Sequence, residues 1–333
     1  MSQNEIIPET ICLPHKPHSP LSYQFVPGQG PQATSHLVVF LNGLVLPQDG
    51  WMPTIRDLQR RWSEKGRSAD GGGGHPALLT YDRYGQGASA RDPADGARDD
   101  GTHDVREVVS DLHELARCIW RAKVPSRDQG EHMMPSLVFV ANSIGCVIAR
   151  LYAASFARGV DALLLLDSNI ANSDLVSVFP DPDAPGFDPA TLPRDVAVAE
   201  LRRVREAYTA RFHPSVPNPE HLDRRDIADL LPAADAPKLL AAGDQGPVLT
   251  VVGHDWDTFA REGLQGPMRV PESLTNQYMN PAWSRYNEGL VHITDAARTR
   301  GPVTAVGCGH FIQRDDPVLV AELIDDLLAR VRD

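Results

Sequence analysis

The 333-residue chain is poor in several features, and each scarcity removes a class of function. It has no apolar run of 18 residues, so no segment is expected to cross a membrane as a helix. Consecutive Lys or Arg never exceed two, and the net charge is −12. Nucleic-acid backbones and anionic membrane surfaces require concentrated positive charge, so neither is expected as a partner. The first residues, Met1-Ser2-Gln3-Asn4-Glu5, lack the basic and apolar regions of a secretory signal. Only four cysteines occur (Cys12, Cys118, Cys146, Cys308), with no C-x-x-C spacing and two in apolar contexts. They read as buried free thiols in a reducing compartment, and a cytoplasmic protein is expected. The remainder, 42% hydrophobic and 23% charged, is that of a globular protein with a sizeable core, in one large domain or two ordinary ones. No internal repeat is visible.

Apolar runs mark the strands. His36–Leu41, Pro76–Tyr81, Ser136–Val140, Val160–Leu166, Val248–Val252 and Val303–Val306 are rich in Val and Leu, and a continuous run such as His36–Leu41 suits a strand buried on both faces of a parallel sheet. Helical periodicity appears between them, near Trp51–Lys65, over His103–Lys123 with Thr102 or Asp104 available as cap, directly after Ser143, over Asn280–Ile293, and over Val318–Val331. Residues 1–35 are Pro-rich and polar, an N-terminal extension with a possible edge strand at Leu21–Val26. Four glycines in Ser68–His75 lack the Lys and Ser/Thr of a phosphate loop and read as a flexible loop. The carboxylates of Arg91–Asp100 lack fixed ligand spacing and read as solvated charge. Between Ala171 and Gly246 the composition shifts to Pro-Asp clusters around one strong helix, Arg194–Phe212. The expected organisation is an α/β core over 1–170 and 247–333, with a mostly parallel sheet, interrupted at 171–246 by an inserted, mostly helical cap.

The candidate chemistry falls at the carboxyl ends of those strands, where open α/β sheets build their sites. Ala141-Asn142-Ser143-Ile144-Gly145 sits between a strand and a helix, the context of a nucleophile elbow that holds a serine hydroxyl out of the sheet. His310 follows the last strand in Gly-Cys-Gly-His-Phe-Ile-Gln-Arg-Asp-Asp-Pro, where a base must stand to reach Ser143. Asn42-Gly43-Leu44 follows the first core strand, so the backbone N–H groups of Leu44 and Ile144 are candidate oxyanion donors.

These stretches, with Tyr-Asp-Arg-Tyr-Gly-Gln-Gly-Ala-Ser at 81–89, resemble in order the motifs of the α/β-hydrolase fold superfamily, in its lid-bearing, single-domain, esterase-like branch. The resemblance runs from about His36 to the C-terminus apart from the cap. More loosely it extends to hydrolases of fungal secondary-metabolite pathways. It implies Ser143 as nucleophile, His310 as base and Leu44 and Ile144 as oxyanion donors, with no metal or organic cofactor. Two positions depart from the usual pattern: Asn42 stands in place of His, and Ala141 in place of Gly. In most of the superfamily the acid follows the penultimate strand, here Asp255 or Asp257, yet Trp256 occupies the usual spacing. A minority places it after the preceding strand, where Asp167 stands. Asp167 is favoured because it fits without shifting a residue, and Asp255 is the alternative.

The resulting expectation is a serine hydrolase cleaving an ester, lactone or thioester of a small organic molecule through an acyl-enzyme, with the cap lining the pocket. The alternatives are hydrolytic C–C cleavage of a β-diketone or polyketide at the same site, or a non-hydrolytic lyase or receptor on the same fold.

Overall fold

The computed structural model describes residues 6–65, 74–125, 134–156, 159–240 and 246–332. The chain begins with β1 (Glu9–Leu13) and β2 (Lys16–Val26), an antiparallel hairpin, then β3 (His36–Leu41), α1 (Met52–Lys65) and β4 (Ala77–Tyr81). A two-residue strand, β5 (His103–Asp104), leads into α2 (Val105–Lys123), then β6 (Ser136–Ser143), α3 (Ile144–Ser155) and β7 (Val160–Ser168). The next segment holds α4 (Val198–Phe212), the two-residue β8 (Leu222–Asp223) and the short α5 (Ile227–Leu230). The core resumes with β9 (Val248–His254), α6 (Trp256–Gln265), α7 (Glu272–Leu274), α8 (Asn280–Leu290), β10 (Thr299–Ala305), α9 (Ile312–Asp315) and α10 (Pro317–Arg332).

Eight strands form one sheet in the order β1-β2-β4-β3-β6-β7-β9-β10, parallel from β4 to β10. The uninterrupted apolar runs are explained by a core on each face. Along β3, Leu37, Val39 and Leu41 enter one cluster with α2 and α3, while Val38 and Phe40 enter the other with α1 and α10. β6 and β7 divide in the same way, Leu137 and Phe139 against Val138 and Val140, and Leu163 and Leu165 against Leu164 and Leu166. Asp104 caps α2 through a capping box with Glu107. None of the described helices is long and apolar enough to cross a membrane.

Four expectations change. Residues 9–26 are not an extension with an edge strand but a hairpin that completes the sheet: β1 is the edge and β2 pairs with β4. The Arg91–Asp100 loop is not all solvated charge. Asp92 is buried and accepts a hydrogen bond from Lys16 Nζ at 2.6 Å, and Asp111 of α2 accepts a second at 2.7 Å, which fastens the hairpin to the core. The insertion is not mostly helical. Its one long helix starts at Val198 rather than Arg194, since residues 193–196 close a turn, the Val196 N–H donating to the Pro193 carbonyl at 3.0 Å, and Ala197 is extended; the prolines at 180–193 leave turns and a 3-10 turn before it. Of the cysteines, all of them free, Cys146 and Cys308 are buried, but Cys12 is exposed on the edge strand. The glycine run expected as a loop lies largely outside the described residues.

The insertion joins the core at defined points. β8 pairs in parallel with β5. Arg150 of α3, fully buried, donates to the carbonyls of Ala233, Ala234 and Ala236 and to the Tyr286 hydroxyl. Replacing the α2 cap, Asp104→Ala, is expected to lower unfolding stability by about 1 kcal/mol in urea titration, with little change in the native near-UV spectrum.

Candidate active site

Ser143 is the last residue of β6 and holds φ 56° and ψ −124°, a strained combination for a side chain other than glycine. Its hydroxyl does not cap α3, so ordinary helix capping does not explain the serine. The corner is tight because α3 starts against the end of β3: a Cβ on Gly145 would lie 2.5 Å from the Leu41 carbonyl oxygen and 2.9 Å from that of Asn42. Ala141 is fully buried in the core cluster, so the methyl in place of the usual Gly is accommodated. Asn142 stitches the corner together, donating to the Leu166 carbonyl at 3.0 Å and the His310 carbonyl at 2.9 Å.

The pairing of β6 with β7 slips at this end. Asn142 faces Leu166 and Ser143 faces Ser168, so Asp167 is the extra residue of a bulge and takes φ 45°. A bulge re-aims a side chain, and here it turns the carboxylate toward the loop after β10. Asp167 Oδ2 lies 2.6 Å from His310 Nδ1. A carboxylate only accepts, so Nδ1 carries the proton and Nε2 is left as the basic nitrogen. The His310 ring stands edge-on to Trp283 at 5.5 Å, and the Trp283 indole N–H donates to the Ser168 carbonyl at 2.8 Å.

The other oxygen of Asp167 is also engaged. Oδ1 accepts from the His254 backbone N–H at 3.2 Å and faces His254 Nδ1 at 2.8 Å. Complete burial drives the Asp167 carboxyl upward, but the His254 charge and the hydrogen bonds from His254 and His310 overcome this and hold it at about 2. Asp255, the alternative acid, caps α6 instead, accepting from the Thr258 N–H at 2.9 Å. Asp257 lies in the first turn of the same helix and is exposed. The structure therefore brings Asp167, not Asp255 or Asp257, to His310.

On the opposite side, the turn after β3 is fixed from three directions. Asn42 is structural: its Oδ1 accepts from the Trp51 indole at 2.7 Å and its Nδ2 donates to the Tyr81 carbonyl at 2.9 Å. Arg83 donates to the carbonyls of Asn42 at 2.8 Å and Gly43 at 3.0 Å, and Gln86 donates to that of Gly43 at 2.9 Å. In a trans peptide the C=O and the following N–H point in opposite directions. Locking the Gly43 carbonyl toward Arg83 and Gln86 therefore turns the Leu44 N–H the other way. Among the described residues, no acceptor is bonded to it. A Cβ on Gly43 would lie 3.4 Å from that of Ser143, so this turn borders the serine. The Ile144 N–H, in the first turn of α3, has no intrahelical acceptor.

Arg83 and Gln86 are themselves held by Glu220 of the insertion. The carboxylate accepts from Arg83 Nε at 3.2 Å, from Nη2 at 3.1 Å and from Gln86 Nε2 at 2.6 Å, and the Val45 N–H also donates to it. The Arg83 and Glu220 side chains are 2% and 1% exposed. Gly85, at φ 79°, lets the Glu220 backbone approach, since a Cβ there would lie 2.7 Å from its carbonyl oxygen. The motif at 81–89 thus carries the side chains that hold the Gly43–Leu44 peptide.

Sequence reasoning missed His254 and the Arg83–Gln86–Glu220 cluster. His254 stands at a strand end, next to Asp255, and a histidine in that position is itself the signal. The signal for Arg83 is a charged residue two positions after a buried strand. Glu220, about 140 residues away in an irregular segment, carried no signal.

A parallel sheet with a strained serine at a strand–helix corner, beside an imidazole–carboxylate pair on the neighbouring strand ends, defines the class of α/β enzymes built on a nucleophile elbow. The model of the alpha/beta hydrolase family matches residues 38–323, and the chain belongs to that family of hydrolases. Comparison by sequence with the curated proteins finds no match. Among solved structures, a thermophilic esterase from Thermogutta terrifontis is similar over 98% of this chain and 100% of that one, at 15% identity and TM-score 0.52. Alpha/beta hydrolase domain-containing protein 10 from mouse is similar over 98% and 99%, at 14% identity and TM-score 0.51. An epoxide hydrolase from Vigna radiata is similar over 99% and 100%, at 13% identity and TM-score 0.54. At these identities the likeness is one of fold.

Two outcomes follow from the site's electrostatics. Glu220→Ala leaves Arg83 buried without its partner and is expected to cost about 3–5 kcal/mol in chemical denaturation. Asp167 has a folded value below its usual 3.8, so its contribution to stability is present above about pH 4 and lost as pH falls toward 2. The stability gap between wild type and Asp167→Asn should therefore close over that acidic interval, as read by paired unfolding curves.

Proposed function

We propose that the protein is a serine hydrolase acting on an ester, lactone or thioester of a small organic molecule, with Ser143, His310 and Asp167 as its triad. The observation that carries the reading is the 2.6 Å hydrogen bond between His310 and Asp167, at strand ends on one side of a serine held at positive φ. His310 Nε2 takes the Ser143 proton as the hydroxyl attacks the acyl carbon, and later returns it to the leaving group. Asp167 keeps the imidazole in the required tautomer and balances its transient charge. The Leu44 and Ile144 N–H groups receive the oxyanion, with the Leu44 donor aimed in advance by Arg83 and Gln86. Water then cleaves the acyl-enzyme by the same route in reverse.

The insertion over 171–246 acts as a cap above the strand ends and shapes the substrate pocket, a role supported by the reach of Glu220 to the turn after β3. A reducing, cytoplasmic setting is supported by the four unpaired cysteines.

A panel of activated esters of varied acyl length, together with a lactone, a thioester and a β-diketone, tests the proposal. Wild type should turn over one or more of the oxygen or sulfur esters, and Ser143→Ala should not. Asp167→Asn should lose roughly 10³–10⁴ in kcat, while Asp255→Asn stays within a few-fold of wild type. Equal mild losses in the two aspartate variants, or turnover confined to the diketone with release of a carbon acid, would contradict it.

A further inference from the structure

His254, at the end of β9, is a buried titratable group that the reaction above does not use. Its Nδ1 lies 2.8 Å from Asp167 Oδ1 and its Nε2 lies 3.0 Å from Asn280 Oδ1. The far end of the Asn280 amide fixes which of its atoms faces the imidazole. Nδ2 donates to the Trp256 carbonyl at 3.2 Å, a group that can only accept, and to Asn276 Oδ1 at 2.7 Å. The amide oxygen is therefore turned to His254, and an amide oxygen has no proton to give. His254 Nε2 must donate. The Asp167 carboxylate already accepts the His254 backbone N–H on Oδ1 and His310 Nδ1–H on Oδ2, and an acceptor of several hydrogen bonds is held in its ionised form. His254 Nδ1 must donate as well. An imidazole in which both nitrogens donate is an imidazolium.

The surroundings suit a cation. Asp167 faces it from β7, and the adjacent Asp255 adds a second negative charge at the start of α6. The Phe259 ring from α6 stacks on it at 4.1 Å, Trp283 from α8 meets it edge-on at 5.5 Å, and Asn280 of α8 is neutral. His310 is the remaining titratable group of the cluster, on the other oxygen of the same carboxylate.

We propose that His254 is held as an imidazolium and is a positioning residue for the site: a fixed counter-cation on the rear oxygen of Asp167 that keeps this acid ionised and its front oxygen aimed at His310. The proposal rests on the reading of Ser143, His310 and Asp167 as the catalytic set. In the commoner arrangement the strand at β9 supplies the acid itself; here the same strand end supplies the charge that holds the acid of its neighbour. Burial opposes protonation of His254, and the charge and hydrogen bond of Asp167 outweigh it, so the proton is retained above the usual range for histidine. With the cation removed, only His310 balances the buried Asp167 charge. The Asp167–His310 pair then takes up a proton at higher pH.

The test has two arms. In wild-type protein labelled with ¹³C and ¹⁵N, both His254 ring nitrogens should show imidazolium shifts at neutral pH and above, with the ring assigned by through-bond correlation to the His254 backbone resonances. A neutral tautomer of His254 at pH 7 overturns the proposal. This arm needs no substrate and reads the charge even if the hydrolase reading fails, in which case no ester is turned over. In the second arm, His254→Asn keeps a donor beside Asp167 but no charge, and the acidic limb of kcat/KM should move up by about one pH unit. A limb that stays in place while kcat falls marks His254 as a neutral strut and contradicts it. Should the variant fail to fold, the wild-type spectrum decides alone.

Discussion

One buried carboxylate, Asp167, holds the candidate site together. Its two oxygens face two imidazoles from different strand ends, 2.6 Å to His310 and 2.8 Å to His254. An isolated carboxylate at zero exposure would be neutralised, because burial penalises its charge by several kcal/mol. Here the charge is retained because three donors and an adjacent cation replace water. The backbone makes this possible through a single slipped residue. The β-bulge opposite Ser143 gives Asp167 a left-handed conformation that no other residue of β7 adopts, and points its side chain across the strand end instead of into a sheet face.

The opposite wall of the site is organised by a second buried charge pair. Arg83 and Glu220 come from the core and the insertion, and their hydrogen bonds converge on the Gly43 carbonyl and the Val45 N–H. A buried pair of this kind is weak support for stability, because desolvation offsets its attraction. Its value is geometric: it fixes one peptide plane, and thereby the direction of the Leu44 N–H. The insertion thus contributes a side chain to this wall. Its Glu220 belongs to the scaffold of the turn beside the serine, so a residue of the insertion helps to set the direction of a core peptide.

Most of the fold was legible because buried parallel strands announce themselves. β3, β4, β6, β7 and β9 appear as runs rich in Val and Leu, and each lies near its expected place. The hairpin β1–β2 was obscured by prolines at 17 and 20, which an antiparallel strand near the sheet margin tolerates. The insertion misled in the other direction, since the stripe of α4 suggested helices where Pro-Asp turns prevail. In the site, Ser143 and His310 are visible as motifs at strand ends, and Asp167 as a carboxylate at the end of the adjacent strand. What lay beyond sequence was pairing at long range. No spacing rule links Glu220 to Arg83, or Asn280 to His254. The bulge that re-aims Asp167 depends on how β6 and β7 register, and strand composition does not record register.

In the proposed reaction Ser143 is the activated nucleophile of this arrangement. A fluorophosphonate probe, followed by mass mapping of the modified peptide, tests it most directly. One label per chain is expected, on Ser143, forming at a rate that drops sharply in His310→Ala. Absence of labelling in the folded protein, or a label on any other residue, would contradict it.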